Sequence, residues 1–175
     1  MKKFLIVTAV VVMALGLGSV ALAKGGPTGQ AGKSNTAQLY LHEKDPSTWE
    51  IVDGGAWGKM KYNLSGSTLD LVFNGHGLEA GGDYTLIYYP DPWPGEDLIC
   101  LGSDAANPGG NVHIKASVDS GDLPASDDDN VDDGAKIWLV LSDDVDCDDD
   151  PTRMVGWNPT EYLFEHDLIT FDDLP

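Results

Sequence analysis

Between Asp119 and Asp150 the chain packs 13 aspartates into 32 residues, with Lys136 as the one basic residue among them. They fall into two runs, Asp127-Asp128-Asp129-Asn130-Val131-Asp132-Asp133 and Asp143-Asp144-Val145-Asp146-Cys147-Asp148-Asp149-Asp150, on either side of the apolar stretch Ile137 to Leu141. Two carboxylates about 5 Å apart repel by roughly 1 kcal/mol in bulk water and several-fold more near a protein surface. Such density calls for full hydration or for cations between the charges. Calcium suits it, because that ion takes about six to eight oxygen ligands from carboxylates and carbonyls on flexible loops. The candidate ligands are Asp127, Asp129, Asp132 and Asp133 in the first run and Asp144, Asp146 and Asp148 in the second. Neither run is an EF-hand: counted from Asp144, the sixth position is Asp149 where glycine is needed and the twelfth is Val155 where glutamate is needed. Plain solvation of an acidic chain is the competing reading.

A second chemistry resides in aromatic rings. Tyr88-Tyr89-Pro90-Asp91-Pro92-Trp93-Pro94-Gly95 forms a rigid loop, with Tyr89 and Trp93 as candidate ligand-binding residues. An exposed ring beside acidic acceptors stacks on a sugar, because an apolar face and a polar edge suit an amphipathic partner. The simpler expectation folds Trp93 back as a lid on the edge of the domain. Trp49, Trp57, Trp138 and Trp157 are assigned to core or edge packing, Trp138 above all.

Other chemistries find less support. A blue-copper site needs Cys, His and Met on one loop, but no histidine lies between Cys147 and Met154, and no methionine is near Cys100 and His113. His42, His76, His113 and His166 lie far apart and read as surface or turn residues, His76 within a turn. A carboxylate pair could hydrolyse glycosides, yet acids are so abundant that no pair stands out. No G-x-S-x-G elbow, phosphate loop or dinucleotide fingerprint is present. The expectation is therefore a protein that is not an enzyme, with a carbohydrate-active hydrolase as the enzymatic alternative. Asn63-Leu64-Ser65 matches the N-glycosylation acceptor pattern at a turn.

The start of the chain bears on compartment. Met1-Lys2-Lys3, an apolar run from Phe4 to Val20 and the small-residue site Ala21-Leu22-Ala23 spell a secretory signal peptide over residues 1–23, with a retained membrane anchor as the alternative. Its removal takes the formal charge from −19 to −21. A field of that sign repels nucleic acid and anionic membranes and favours cations, basic partners and solubility. In an oxidising compartment the cysteines Cys100 and Cys147 are most simply a disulfide, free thiols or metal ligation being the alternatives.

These groups must be positioned by strands. Residues 24–37, rich in Gly, Ser, Thr and Gln, read as a flexible leader, and residues 38–175 as one domain. Short alternating runs follow: Gln38–His42, Ala56–Asn63, Leu69–Phe73, Tyr84–Tyr88, Leu98–Leu101, Val112–Val118, Ile137–Leu141, Tyr162–Phe164 and Leu168–Phe171. Between them lie turn residues such as Asp53-Gly54-Gly55 and Pro108-Gly109-Gly110. About eight or nine short strands without a helical period predict an all-β fold, an antiparallel β-sandwich, immunoglobulin-like or related. The run Ile137–Leu141 is apolar throughout and should be central. A helical turn is expected after Asn158-Pro159.

The segment from Trp57 to Tyr89, the loop Asp91-Pro92-Trp93-Pro94-Gly95 and the closing Gly156-Trp157-Asn158-Pro159-Thr160-Glu161-Tyr162-Leu163-Phe164-Glu165 resemble uncharacterised small secreted single-domain proteins, chiefly of methanogenic archaea. The resemblance covers most of the chain after residue 23 and implies a secreted single domain, with no activity and no site residues. The resulting expectation is an extracellular or cell-surface binding or structural module that binds calcium, with a carbohydrate-binding domain as the alternative. Its partner would be an extracellular protein, a glycan or a second copy docking on edge strands.

Overall fold

Alternation of apolar and polar residues settles which way each strand faces. In β1 (Thr36–His42) Ala37, Leu39 and Leu41 are buried while the residues between them are not; β2 (Trp57–Asn63) buries Gly58, Met60 and Tyr62 in the same way. The computed structural model describes residues 34–175, so the expected signal peptide and most of the expected leader lie outside the described residues. The remaining strands are β3 (Ser65–Gly66), β4 (Leu69–His76), β5 (Asp83–Tyr89), β6 (Ile99–Ala105), β7 (Val112–Val118), β8 (Lys136–Leu141), β9 (Val145–Asp146), β10 (Arg153–Met154), β11 (Leu163–Glu165) and β12 (Asp172–Asp173). Short 3₁₀ turns occupy Ser142–Asp144 and Pro159–Glu161, the second where proline was expected to open a helical turn.

Eight strands form one antiparallel sheet in the order β6-β5-β8-β11-β1-β2-β4-β7. The sheet is nearly closed, so the chain is all-β, with a sandwich-or-barrel architecture. Its two edge strands approach each other: a Cβ built on Gly102 of β6 would lie 2.8 Å from Ile114 of β7. Glycine at 102, with φ of 149°, permits that approach.

Two cores result. The first fills the inside of the sheet with Leu39, Leu41, Met60, Tyr62, Phe73, Tyr84, Leu86, Tyr88, Ile114, Ile137 and Leu139, among others. The second lies on the outer face of β5, β8 and β11, where Ile87, Tyr89, Trp138, Val140, Tyr162 and Phe164 are covered by Leu98, Val145 and Met154. Strand β8 is apolar throughout because it serves both: Ile137 and Leu139 face inward, Trp138 and Val140 outward. Cys100 and Cys147 form a disulfide with Cα atoms 6.0 Å apart. It ties the covering layer to β6. Closing a loop of 47 residues is worth about 4 kcal/mol in the chain-entropy model.

Three expectations shift. The leader does not reach Ala37, because Thr36 and Ala37 already pair with Asn63 and Tyr62 in the sheet; small residues hid a strand whose alternation is that of its neighbours. His76 ends β4 instead of occupying a turn. The run Leu168–Phe171 makes only single bridges, Ile169 with Ala135 and Phe171 with Leu123, and both residues plug the inner core.

Candidate functional site

Above the outer core three loops converge, each carrying a tryptophan. The first joins β1 to β2. Its turn is set by Asp45, whose carboxylate accepts from the amide and hydroxyl of Ser47 at 2.8 and 2.6 Å and whose carbonyl accepts from Trp49 N at 2.7 Å. Trp49 follows in the left-handed region at φ of 60°, where a bulky side chain costs about 1–3 kcal/mol.

The second loop is Pro90 to Leu98. Gly95 turns it at φ of 71°, and a Cβ there would strike the Tyr89 ring at 2.5 Å. Met154 N donates to Pro94 O at 3.0 Å and Asp97 N to Thr152 O at 2.9 Å, fastening the loop to the segment around β10. The third loop carries Trp157. Beneath it Asp144 is buried, accepting from Tyr162 Oη at 2.6 Å and from Asn158 Nδ2 at 2.8 and 3.0 Å. A Cβ on Gly156 would fall 1.9 Å from the Asp144 carboxylate, so only glycine fits before Trp157.

The three indoles wall a cleft of about 430 Å³. Trp93 is 52% exposed, Trp49 50% and Trp157 42%. Trp157 is the hub, with ring centroids 5.5 Å from Trp93, 6.4 Å from Trp49 and 6.1 Å from Trp138. The floor is Trp138 with Phe164 edge-on at 5.3 Å, and Tyr89 stacks on Trp138 at 3.9 Å and 11°. Trp93 therefore stands at the rim and is not folded back as a lid. Tyr89, 2% exposed, supports the floor.

Four charged residues line the same cleft: Lys44, Asp91, Lys136 and Glu165. Lys136 pairs with Asp91, which also accepts from Asn130 Nδ2. Burial alone would raise the Asp91 pKa, but these two donors hold it below the ordinary carboxylate range. Glu165 behaves in the opposite way. Its Oε2 is buried without a hydrogen-bond partner, and burial pushes its pKa up to about 7. Its backbone, Lys44, Lys136 and the nearby Trp138 indole pull it back only in part, and the indole does so without reaching hydrogen-bond geometry.

The expected calcium ligands are placed differently. Asp127, Asp129, Asp132, Asp133 and Asp148 are exposed, Asp146 is half-buried and Asp144 is committed to Tyr162 and Asn158. Asp146 Oδ1 accepts from the amides of Asp148 and Asp149, both at 3.1 Å. The buried acid of the first run is Asp128, which accepts from Tyr88 Oη at 2.6 Å, Asn130 N at 2.8 Å and Asp91 N at 3.2 Å. Among the described residues no three His, Cys, Asp or Glu side chains are grouped to hold a metal ion. Asn63 staples its turn: Nδ2 donates to Ser65 O and Thr68 O, and Oδ1 accepts from Asp70 N. A glycan on the folded chain would replace one of the two Nδ2 hydrogens and so remove at least one of those donations. His76 and His113 pair with Asn111 and Asn74.

Reading the sequence missed Trp49 and Trp157 as cleft walls. The signal was present, since both lie outside the alternating runs among turn residues, Asp45-Pro46-Ser47-Thr48 and Gly156 with Asn158-Pro159, as Trp93 does. A larger hollow of about 680 Å³ crosses β2, β4 and β7 beside Lys61, Asp70, Val72 and Lys115, but it offers no exposed aromatic face. Comparison of the chain with protein-family models, curated proteins and solved structures returns no match.

Proposed function

We propose that this protein is an exported, acidic binding module that takes carbohydrate into the tryptophan-walled cleft. One observation carries the reading: three exposed indoles stand around a single aromatic floor that also holds polar and charged groups. Aromatic faces supply apolar contact to the C–H side of a sugar ring, and convergent polar groups fix its hydroxyls. The volume of about 430 Å³ suits a small ligand or a short stretch of a longer glycan. Export is supported by the signal-peptide pattern of residues 1–23 and agrees with the disulfide.

Glycan arrays and affinity gels test the reading. The protein is expected to be retained by at least one neutral polysaccharide, and Trp93→Ala to weaken that retention about tenfold or more, the rough worth of one stacked ring. Lack of retention on every glycan, or full retention by Trp93→Ala, would sink it. Calcium on the acidic loops belongs to the same proposal, supported by charge density. Its ligands would have to draw together on binding.

A further inference from the structure

Two polar atoms of side chains that line the cleft make no hydrogen bond: Trp138 Nε1, a donor, and Glu165 Oε2, an acceptor; the two groups lie near each other but short of hydrogen-bond geometry. Both are buried, where an unpaired polar group is costly and therefore rare. The Trp138 ring cannot swing away to find an acceptor, because Tyr89 stacks flat against it and Phe164 meets it edge-on. Lys136 is engaged with Asp91, and Lys44, whose charge acts more strongly on Glu165, makes no hydrogen bond to Oε2.

We infer that Trp138 and Glu165 form a hydroxyl-reading subsite: both atoms are closed to solvent, and as the side chains around them part for the ligand, one ligand hydroxyl donates to Glu165 Oε2 and accepts from Trp138 Nε1–H. The inference rests on the proposed carbohydrate reading and names the chemistry of its ligand. A hydroxyl both donates and accepts, so a single group satisfies both orphans. A carboxylate or phosphate brings acceptors and little or no proton to donate to Glu165 Oε2, and above about pH 7, where Glu165 is ionised, it also meets like charge. An ammonium could not accept from the indole and would meet Lys44 and Lys136. The subsite therefore selects a neutral, hydroxyl-bearing ring over charged ligands, and the walls of Trp49, Trp93 and Trp157 supply the faces between which such a ring lies.

The test uses cellobiose, maltose and N,N′-diacetylchitobiose as probes in tryptophan-fluorescence titrations, beside their singly deoxygenated analogues. For a probe that binds in a Trp93-dependent way, Glu165→Leu and Trp138→Phe are each expected to weaken binding about tenfold or more, as loss of a hydrogen bond to a buried polar group does. Removing the one hydroxyl that is read should cost the wild type as much and these variants little further. Glu165→Leu should at the same time unfold at a higher temperature, since it removes a buried unpaired carboxyl; a residue of merely structural value would not raise stability while lowering affinity. Should Trp138→Phe fail to fold, the indole N–H resonance of Trp138 serves instead and must shift on saturation with the probe. Trp93-dependent binding with full affinity in Glu165→Leu and an unmoved Trp138 resonance would overturn this inference and leave the carbohydrate reading standing. Failure of every probe and of every array glycan would overturn both.

Discussion

A carboxyl group such as that of Glu165, buried with an oxygen that no donor reaches, pays for ionisation in lost solvation. In the unfolded chain it ionises near pH 4.5; in the fold it keeps its proton up to about pH 7. Between those values the folded state binds more protons than the unfolded one, so stability is greatest below pH 4.5 and falls as pH rises through 7. The full difference is on the order of 3 kcal/mol. Glu165→Gln removes the titration and keeps the shape. Urea denaturation should therefore show the variant gaining on the wild type by about that amount between pH 4 and pH 8. A constant gap across the range would mean that Glu165 is solvated in the native state. Asp91, a few residues beyond β5, is held in the opposite condition by Lys136 and Asn130, so one cleft carries a carboxyl that resists ionisation and another that favours it.

The cleft is assembled by elements whose anchors are buried acids. Asp144 holds the Trp157 loop through Asn158 and Tyr162, and Asp128 holds the Pro90 loop through Asp91 N while bonding Tyr88. Asp144→Ala leaves the Tyr162 hydroxyl, on a fully buried side chain, without its acceptor, and should cost about 2–3 kcal/mol. It should also release Trp157 and so weaken any glycan bound in the cleft. Asp144→Asn, which retains an acceptor oxygen, should recover most of the stability. Asp129→Asn, on an exposed residue of the other run, should stay within about 0.5 kcal/mol in calcium-free buffer. Equal losses for Asp144→Ala and Asp129→Asn would remove the anchoring role. This division also shows what the sequence could reveal. The strands were legible because Val112, Ile114 and their counterparts repeat at the period of a pleated sheet, and the disulfide because only one pairing exists. The buried aspartates were not. Nothing local separates Asp128 from Asp127 or Asp144 from Asp143; the hydroxyls that select them belong to Tyr88 and Tyr162, 40 and 18 residues away. Tryptophan was misjudged for a related reason, since ring size suggests burial and only the loop context of Trp49 and Trp157 argues for display.

Across the whole molecule the formal charge is −19, and most of the acids of both runs lie exposed on loops at the surface of a nearly closed sheet. Mutual repulsion among them opposes the compact state, and the disulfide at Cys147 holds the second run in place against it. Added salt shortens the reach of those charges, to about 3 Å at 1 M, so the melting temperature should rise steadily with sodium chloride. Calcium is the sharper probe. At matched ionic strength, chloride salts of calcium and magnesium screen alike, but only calcium tolerates the loose, high-coordination oxygen shell that flexible acidic loops can offer. If the loops close around it, calcium should raise the melting temperature further than magnesium, a chelator should reverse the gain, and Asp146→Asn or Asp148→Asn should erase the difference between the two ions. Identical curves for the two ions would mean that screening alone relieves the repulsion along the acidic seam.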